Sequence, residues 1–217
     1  MGIPVLILGE SGSGKSASLR NFEPVQVGIL NVAGKPLPFR KKLNAISTVT
    51  GQDGKTRRIS YDDILKVLAR GKVKSYVIDD SQYLMAFEEL DRVKENGYNK
   101  FTEMALNFSG LVRYIIDYLP ADVIVYFLHH VETTETGKVK AKTVGKMIDS
   151  KLTLEGLFSV VLLCEASADG HYFITQSDGY TTAKSPMEMF DKQIDNDLAM
   201  VDAAIREYWN LGGTDNG

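Results

Sequence analysis

Apolar and polar positions alternate along the chain in two distinct rhythms. Residues 4–8, Pro-Val-Leu-Ile-Leu, form an unbroken apolar run of the kind that makes a parallel strand buried on both faces. The spacing predicts a helix over 15–21 and a second strand over 25–32. Ser60-Tyr61-Asp62-Asp63 fits a capping box, opening a helix that puts Ile64, Leu65 and Leu68 inward and closes at Gly71. A strand follows at 75–79, then helices over about 83–96 and 102–119, the second stopped by Pro120. Strands are predicted at 122–132, 159–165 and 172–176, the last running into the Asp178-Gly179 turn. Leu198, Val201, Ile205 and Trp209 recur at helical spacing and predict an amphipathic terminal helix docked on the body. There is no internal repeat and no Pro/Gly/Ser linker. Alternating strands and helices of this kind imply a layered α/β fold with a mainly parallel sheet.

Composition narrows the class. With 217 residues, 44% hydrophobic and 24% charged, and 19 Gly and 6 Pro, the chain is neither low-complexity nor collagen-like. Its one cysteine, Cys164, excludes an internal disulfide and is most simply a core residue. The opening has no basic n-region, so no signal peptide is expected. No apolar run approaches the roughly 20 residues of a membrane span, and 123–128 is strand length. A protein of a reducing compartment, without membrane association, is the expectation.

The net charge of −3 hides an asymmetry. Between Gly34 and Arg58 seven bases (Lys35, Arg40, Lys41, Lys42, Lys55, Arg57, Arg58) face Asp53 alone. Between Gly137 and Lys151 five lysines face Asp149, and from Ser185 onward seven acids face two bases. Bulk adhesion to nucleic acid is disfavoured, while two local basic segments leave a focused anion site open, or simply keep loops solvated.

The chemistry begins at Gly9-Glu10-Ser11-Gly12-Ser13-Gly14-Lys15-Ser16, which satisfies G-x-x-x-x-G-K-[ST] between a strand and a helix. In such a P-loop the glycines let successive N–H groups turn inward around a β-phosphate. Gly9, Ser11, Gly12, Ser13, Gly14, Lys15, Ser16 and Ala17 are the expected ATP-binding set. Lys15 supplies mobile charge over the outer phosphates, and the Ser16 hydroxyl is a ligand for Mg²⁺. Tyr76-Val77-Ile78-Asp79-Asp80 adds an acid at the end of an apolar strand. Asp79 is the expected metal-side carboxylate, while Asp80 is either the catalytic acid that polarises water or the N-cap of the next helix. The sequence argues against a GTPase: Asn99-Lys100-Phe101-Thr102 lacks the aspartate of N-K-x-D, and Asp79 is not followed by x-x-G. A phosphotransferase is disfavoured because the candidate lid, 137–151, has five lysines and no arginine.

Five segments together resemble the phage-encoded P-loop ATPases of the RecA-like/AAA group, some of which accompany single-strand annealing recombination. They are GESGSGKS (9–16), NVAGKPLPF (31–39), YVIDD (76–80), YFLHHVE (126–132) and GKVKAKTVGKMID (137–149), and they span most of residues 1–184. The resemblance implies a RecA-like core over 1–184, and the charge and helical spacing beyond it leave 185–217 as an acidic helical extension with a short disordered tail. It implies ATP hydrolysis coupled to single-stranded DNA in recombination or replication, in the cytoplasm of a bacterial host. It implies self-assembly into a ring or filament, and a phage single-strand-binding or annealing protein as partner. It also implies a γ-phosphate sensor at the end of the 122–128 strand, assigned to His129, although alternation lets only one of His129 and His130 face nucleotide. A basic residue reaching a neighbouring subunit's nucleotide is implied near Lys184, against the plain reading of a surface lysine. A DNA-contacting loop is implied at Lys138, Lys140, Lys142 and Lys146, although 139–142 also reads as a β-ribbon with exposed lysines. One feature departs from the group: no acid follows the second strand until Asp53, so Asp80 takes the catalytic role or hydrolysis is slow. The alternative function is a regulatory ATP-binding module that loads or bridges replication proteins.

Overall fold

Strand period decides how the layers form. In the first strand, β1 (Ile3–Gly9), Leu6 and Leu8 point to one side and Val5 and Ile7 to the other, all buried. A strand apolar on both sides needs cover on both sides. The computed structural model describes residues 1–97, 99–144 and 153–212.

Within it, β1 is followed by β2 (Val27–Asn31), the two-residue β3 (Ala45–Ile46) and a hairpin of β4 (Thr48–Thr50) and β5 (Thr56–Arg58). Helix α1 (Tyr61–Ala69), β6 (Ser75–Asp79), α2 (Gln82–Asp91) and α3 (Asn99–Tyr118) come next. Then follow β7 (Ile124–Thr133), β8 (Val139–Ala141), β9 (Val160–Ser167), β10 (Gly170–Ile174), β11 (Gln193–Asp195) and α4 (Leu198–Tyr208). The main sheet runs β11-β10-β9-β1-β7-β6-β2-β3, with β8 paired to β7. From β9 to β3 every pairing is parallel, and β10 and β11 add an antiparallel edge. Helices α1, α2 and α3 cover one face, through Ile64, Leu84, Phe108 and Ile115 among others. Leu19 and Phe22 with α4 cover the other. The protein is thus a mixed α/β structure with a mostly parallel sheet between helices.

Capping and packing explain most boundaries. Asp63 Oδ2 accepts from the Ser60 N–H at 2.9 Å, closing the capping box of α1. Asp197 accepts from the N–H groups of Ala199 and Met200 and starts α4. Residues 185–212 are tied into the sheet, because β11 pairs with β10 and Leu198, Val201 and Ile205 fill the same core as Val5 and Ile7. Among the described residues, no helix is long and apolar enough to cross a membrane.

Some expectations shift. The helix expected over 15–21 is a six-residue 3-10 turn, Ser16–Asn21. Its serines explain this: Ser18 Oγ donates to the Lys15 carbonyl at 2.6 Å, and the Ser18 N–H is shared between the carbonyls of Gly14 and Lys15. The helix expected to reach 96 ends at Asp91, where Arg92 turns to Glu88, Glu95 and Glu103. The 213–217 tail lies outside the described residues.

Candidate functional site

Parallel strands deliver their C-terminal ends to one edge, and there the chemistry gathers. Gly9 ends β1, level with His130 on β7, and Asp79 ends β6, level with Asn31 on β2. The glycine-rich 9–16 loop leaves β1 with Gly12 at φ 84° and Gly14 at φ 102°. Gly14 is needed twice over, because a Cβ there would also sit 2.7 Å from the His171 ring, which rests on the loop from β10. Gly9 has no room either: an added Cβ would collide with Ser13 Oγ and lie 2.8 Å from the Cys164 carbonyl oxygen.

Lys15 is buried and folds back on its own loop, its Nζ donating to the carbonyls of Gly9 and Glu10 at 2.7 Å each. Burial pulls its ammonium below the usual lysine value, against the opposing pull of Cys164, Asp80 and Asp79. Ser16 Oγ donates to Asp79 Oδ1 at 2.8 Å, joining the loop to β6 across the intervening β7. Burial pushes the Asp79 carboxyl up to about 6, although the Ser16 hydrogen bond opposes this. A hydroxyl and a carboxylate at this spacing form a hard-oxygen pair, which suits Mg²⁺.

Asp80 adopts the left-handed conformation, φ 58°, a costly backbone for a residue with a side chain. Its carboxylate does not cap α2. Oδ2 meets Lys35 Nζ at 2.7 Å and Oδ1 meets His130 Nε2 at 3.2 Å. Burial would raise its pKa, but His130 and Lys35 together outweigh this and hold the carboxyl below the usual range.

The two histidines of β7 part company, as alternation requires. His129 is fully buried against Phe108, with Nδ1 2.9 Å from Ser81 Oγ and Nε2 2.8 Å from the Lys142 carbonyl. Burial lowers its pKa to about 4, so the ring is neutral at pH 7. A carbonyl can only accept, which assigns Nε2–H as donor and Nδ1 as acceptor. His130, and not His129, faces the acids, edge-on to Tyr83 and bonded to Asp80.

The remaining candidates lie apart. Lys184 is exposed and bridges by backbone to Val161, which is level with Leu6 in mid-strand and not with Gly9. Segment 139–142 is a β-ribbon: β8 pairs antiparallel with β7 and carries Lys140, which pairs with Glu132 at 2.9 Å. Lys138 and Lys142 are exposed; Lys146 lies outside the described residues. The ribbon is nonetheless fastened to the site. The Lys142 N–H donates to the His130 carbonyl at 2.9 Å while the Lys142 carbonyl accepts from His129. A cleft of about 480 Å³ opens between the ribbon and the 9–16 loop, lined by Glu10, Ser11, Gly12, Ser13, Val131 and Val139 with Cys164 and Glu165. Residue type and spacing do not single out Lys35 or His171 as members of the site. The Gly-Lys pair directly after β2 is the available signal for Lys35, whereas nothing local marks His171. Comparison of the chain with protein-family models and with curated proteins finds no match.

Proposed function

We propose that the chain is a RecA-like P-loop ATPase that binds Mg–ATP and hydrolyses it. One observation carries this reading: the Ser16–Asp79 hydrogen bond brings the P-loop and the acid strand together, with Lys15 and Asp80 beside them. Among the described residues Lys15 has only carbonyl partners to give up when phosphate oxygens arrive, and the loop N–H groups would supply the rest of the cradle. Ser16 and Asp79 would hold Mg²⁺, which neutralises charge on the outer phosphates when bound. Asp80 accepts a hydrogen bond from the attacking water. As the water oxygen joins the γ-phosphorus, the bond to the bridging oxygen breaks, its electron pair leaves with ADP, and the water proton passes to Asp80. His130 fixes the Asp80 carboxylate for this task.

Single-stranded DNA is the proposed polymer, contacted by Lys138 and Lys142 on the β8 ribbon. The Lys142–His130 hydrogen bond supports coupling, because a shift at Asp80 would reach the ribbon through one residue. Assembly of several copies and a role in phage recombination or replication belong to the same reading. A second reading, a regulatory ATP-binding module, is favoured by one fact: both Asp80 oxygens are already engaged. The ATPase rate of wild type and Lys15→Ala, with and without single-stranded DNA, tests both. Lys15-dependent turnover that DNA raises supports the ATPase, and tight binding with negligible turnover in either condition supports the module.

A further inference from the structure

Lys35 enters the site from a strand end that carries no acid. Asn31 ends β2, and its buried carboxamide grips the turn that follows: the Gly34 N–H donates to Oδ1 at 2.8 Å, and Nδ2 donates to the Lys35 carbonyl at 2.6 Å. Gly34 makes the turn with φ 70°. The backbone of Lys35 is therefore anchored to the sheet edge. Its side chain, 60% exposed, still reaches inward to Asp80 Oδ2 at 2.7 Å and passes 5.5 Å from the Tyr83 ring centre. The charge is felt by Lys15, Asp79 and Asp80 together, so this ammonium shares the electrostatic cluster of the P-loop.

The pairing is unequal. Asp80 is fixed by its backbone and by His130, and its side chain is only 10% exposed. Lys35 is held by one ion pair at the end of a flexible stem and leaves without unfolding anything. Lys15 stands in the same condition, resting on carbonyls. Two cations at one mouth are thus parked on protein acceptors that a stronger anion would displace.

We propose that Lys35 is a second phosphate-contacting residue, which holds Asp80 while no triphosphate is bound and moves to a γ-phosphate oxygen when one arrives. The proposal rests on the nucleotide reading above. No covalent bond changes in this exchange: Asp80 Oδ2 loses a donor and becomes free to accept from water. A diphosphate ends one phosphate short, so it leaves Lys35 where it is. Lys35 thereby makes the freeing of Asp80 conditional on the γ-phosphate, which also reconciles an engaged Asp80 with catalysis.

Calorimetric titration of Mg–ATP, a non-hydrolysable ATP analogue and Mg–ADP into wild type, Lys35→Ala, Lys35→Arg and Lys15→Ala tests this. Lys35→Ala should weaken both triphosphates roughly tenfold or more, the scale of a charge-assisted hydrogen bond. ADP affinity should be unchanged within error, and Lys35→Arg should recover most of the loss. If alanine loosens the 31–35 turn, Lys35→Met carries the same test with the stem retained. Equal affinity changes for ATP and ADP, or none, would overturn the role of Lys35. Wild type that binds no nucleotide, or binds it equally well without Lys15, would instead overturn the nucleotide reading, so the two failures are distinguishable.

Discussion

The sheet has buried carboxylates at both ends, and they are treated in opposite ways. At the N-terminal edge Asp202 of α4 is fully served: Oδ1 accepts from Ser75 Oγ at 2.7 Å and Tyr126 Oη at 2.9 Å, and Oδ2 accepts from Arg206 Nε at 2.7 Å. Arg206 directs its other N–H groups to the carbonyls of Asp122 and Lys74 and to Ser75 Oγ. At the C-terminal edge Asp79 has, among the described residues, only the Ser16 hydroxyl, and Asp80 sits on left-handed backbone, held by His130 and by the flexible stem of Lys35. A carboxylate met by rigid donors on several elements fastens a fold. One that is buried with few donors is costly to keep, and this is the usual condition of a site waiting for a ligand.

The contrast can be broken from either end. The largest effect is expected at Asp80→Asn, which should retain Mg–ATP binding while hydrolysis falls by on the order of 10²–10⁴. Paired measurements of binding and turnover check it, and a parallel loss of both would move Asp80 into the binding set. Asp202→Ala should act on stability alone. Leaving Arg206 and the Tyr126 hydroxyl without their acceptor should cost about 3 kcal/mol, read as a lower urea midpoint with nucleotide affinity intact in the folded fraction. Tyr126→Phe removes one neutral donor from the same group and should cost about 1 kcal/mol by the same measurement.

The ribbon sharpens the comparison because Lys138 and Lys142 are exposed. Replacing Lys138 and Lys142 with alanine should flatten the dependence of log DNA affinity on log salt by about 0.7 for each phosphate no longer neutralised. Filter binding across a salt series checks this, and an unchanged slope would turn attention to the basic 34–58 segment. The smallest effect concerns Asp63, a served carboxylate like Asp202. Arg57, with help from Ser60, holds it at about 2 against a usual 3.8. A lowered acid stabilises the fold at pH values above the usual pKa, and that contribution is lost as pH falls through about 2. The stability gap between wild type and Asp63→Asn should therefore be present at pH 5 and close toward pH 2, measured by thermal melts across that range.

What is legible in the sequence is what local rules enforce. A five-residue apolar run that forbids solvent on either face marks β1, and the Ser60–Asp63 capping box marks α1 within a residue. The β6 strand is readable to its last aspartate because Asp79 breaks the apolar pattern. The β4–β5 hairpin is not readable. Its strands are three residues long and mostly exposed, so no period develops, and the run of bases around it reads as loop. The 3-10 turn after the 9–16 loop reads as helix because composition permits both, and the Ser18 back-bond separates them.

The site divides along the same line. Sequence alone determined that glycines, Lys15 and Ser16 follow a buried strand, and that Asp79 closes another strand with Asp80 next to it, because these follow from residue type and spacing. Tertiary structure decided the pairing of elements far apart in the chain. It set β7 between β1 and β6, turned His130 toward Asp80 and His129 into the core, brought Lys35 across from β2, and laid His171 over Gly14 from β10. It also made Asp202, an ordinary acid in an acidic tail, into the anchor of the opposite edge. The physical reason is range. Strand period and capping act over a few residues, whereas the partner of a buried charge is chosen by sheet order, which the whole chain settles together.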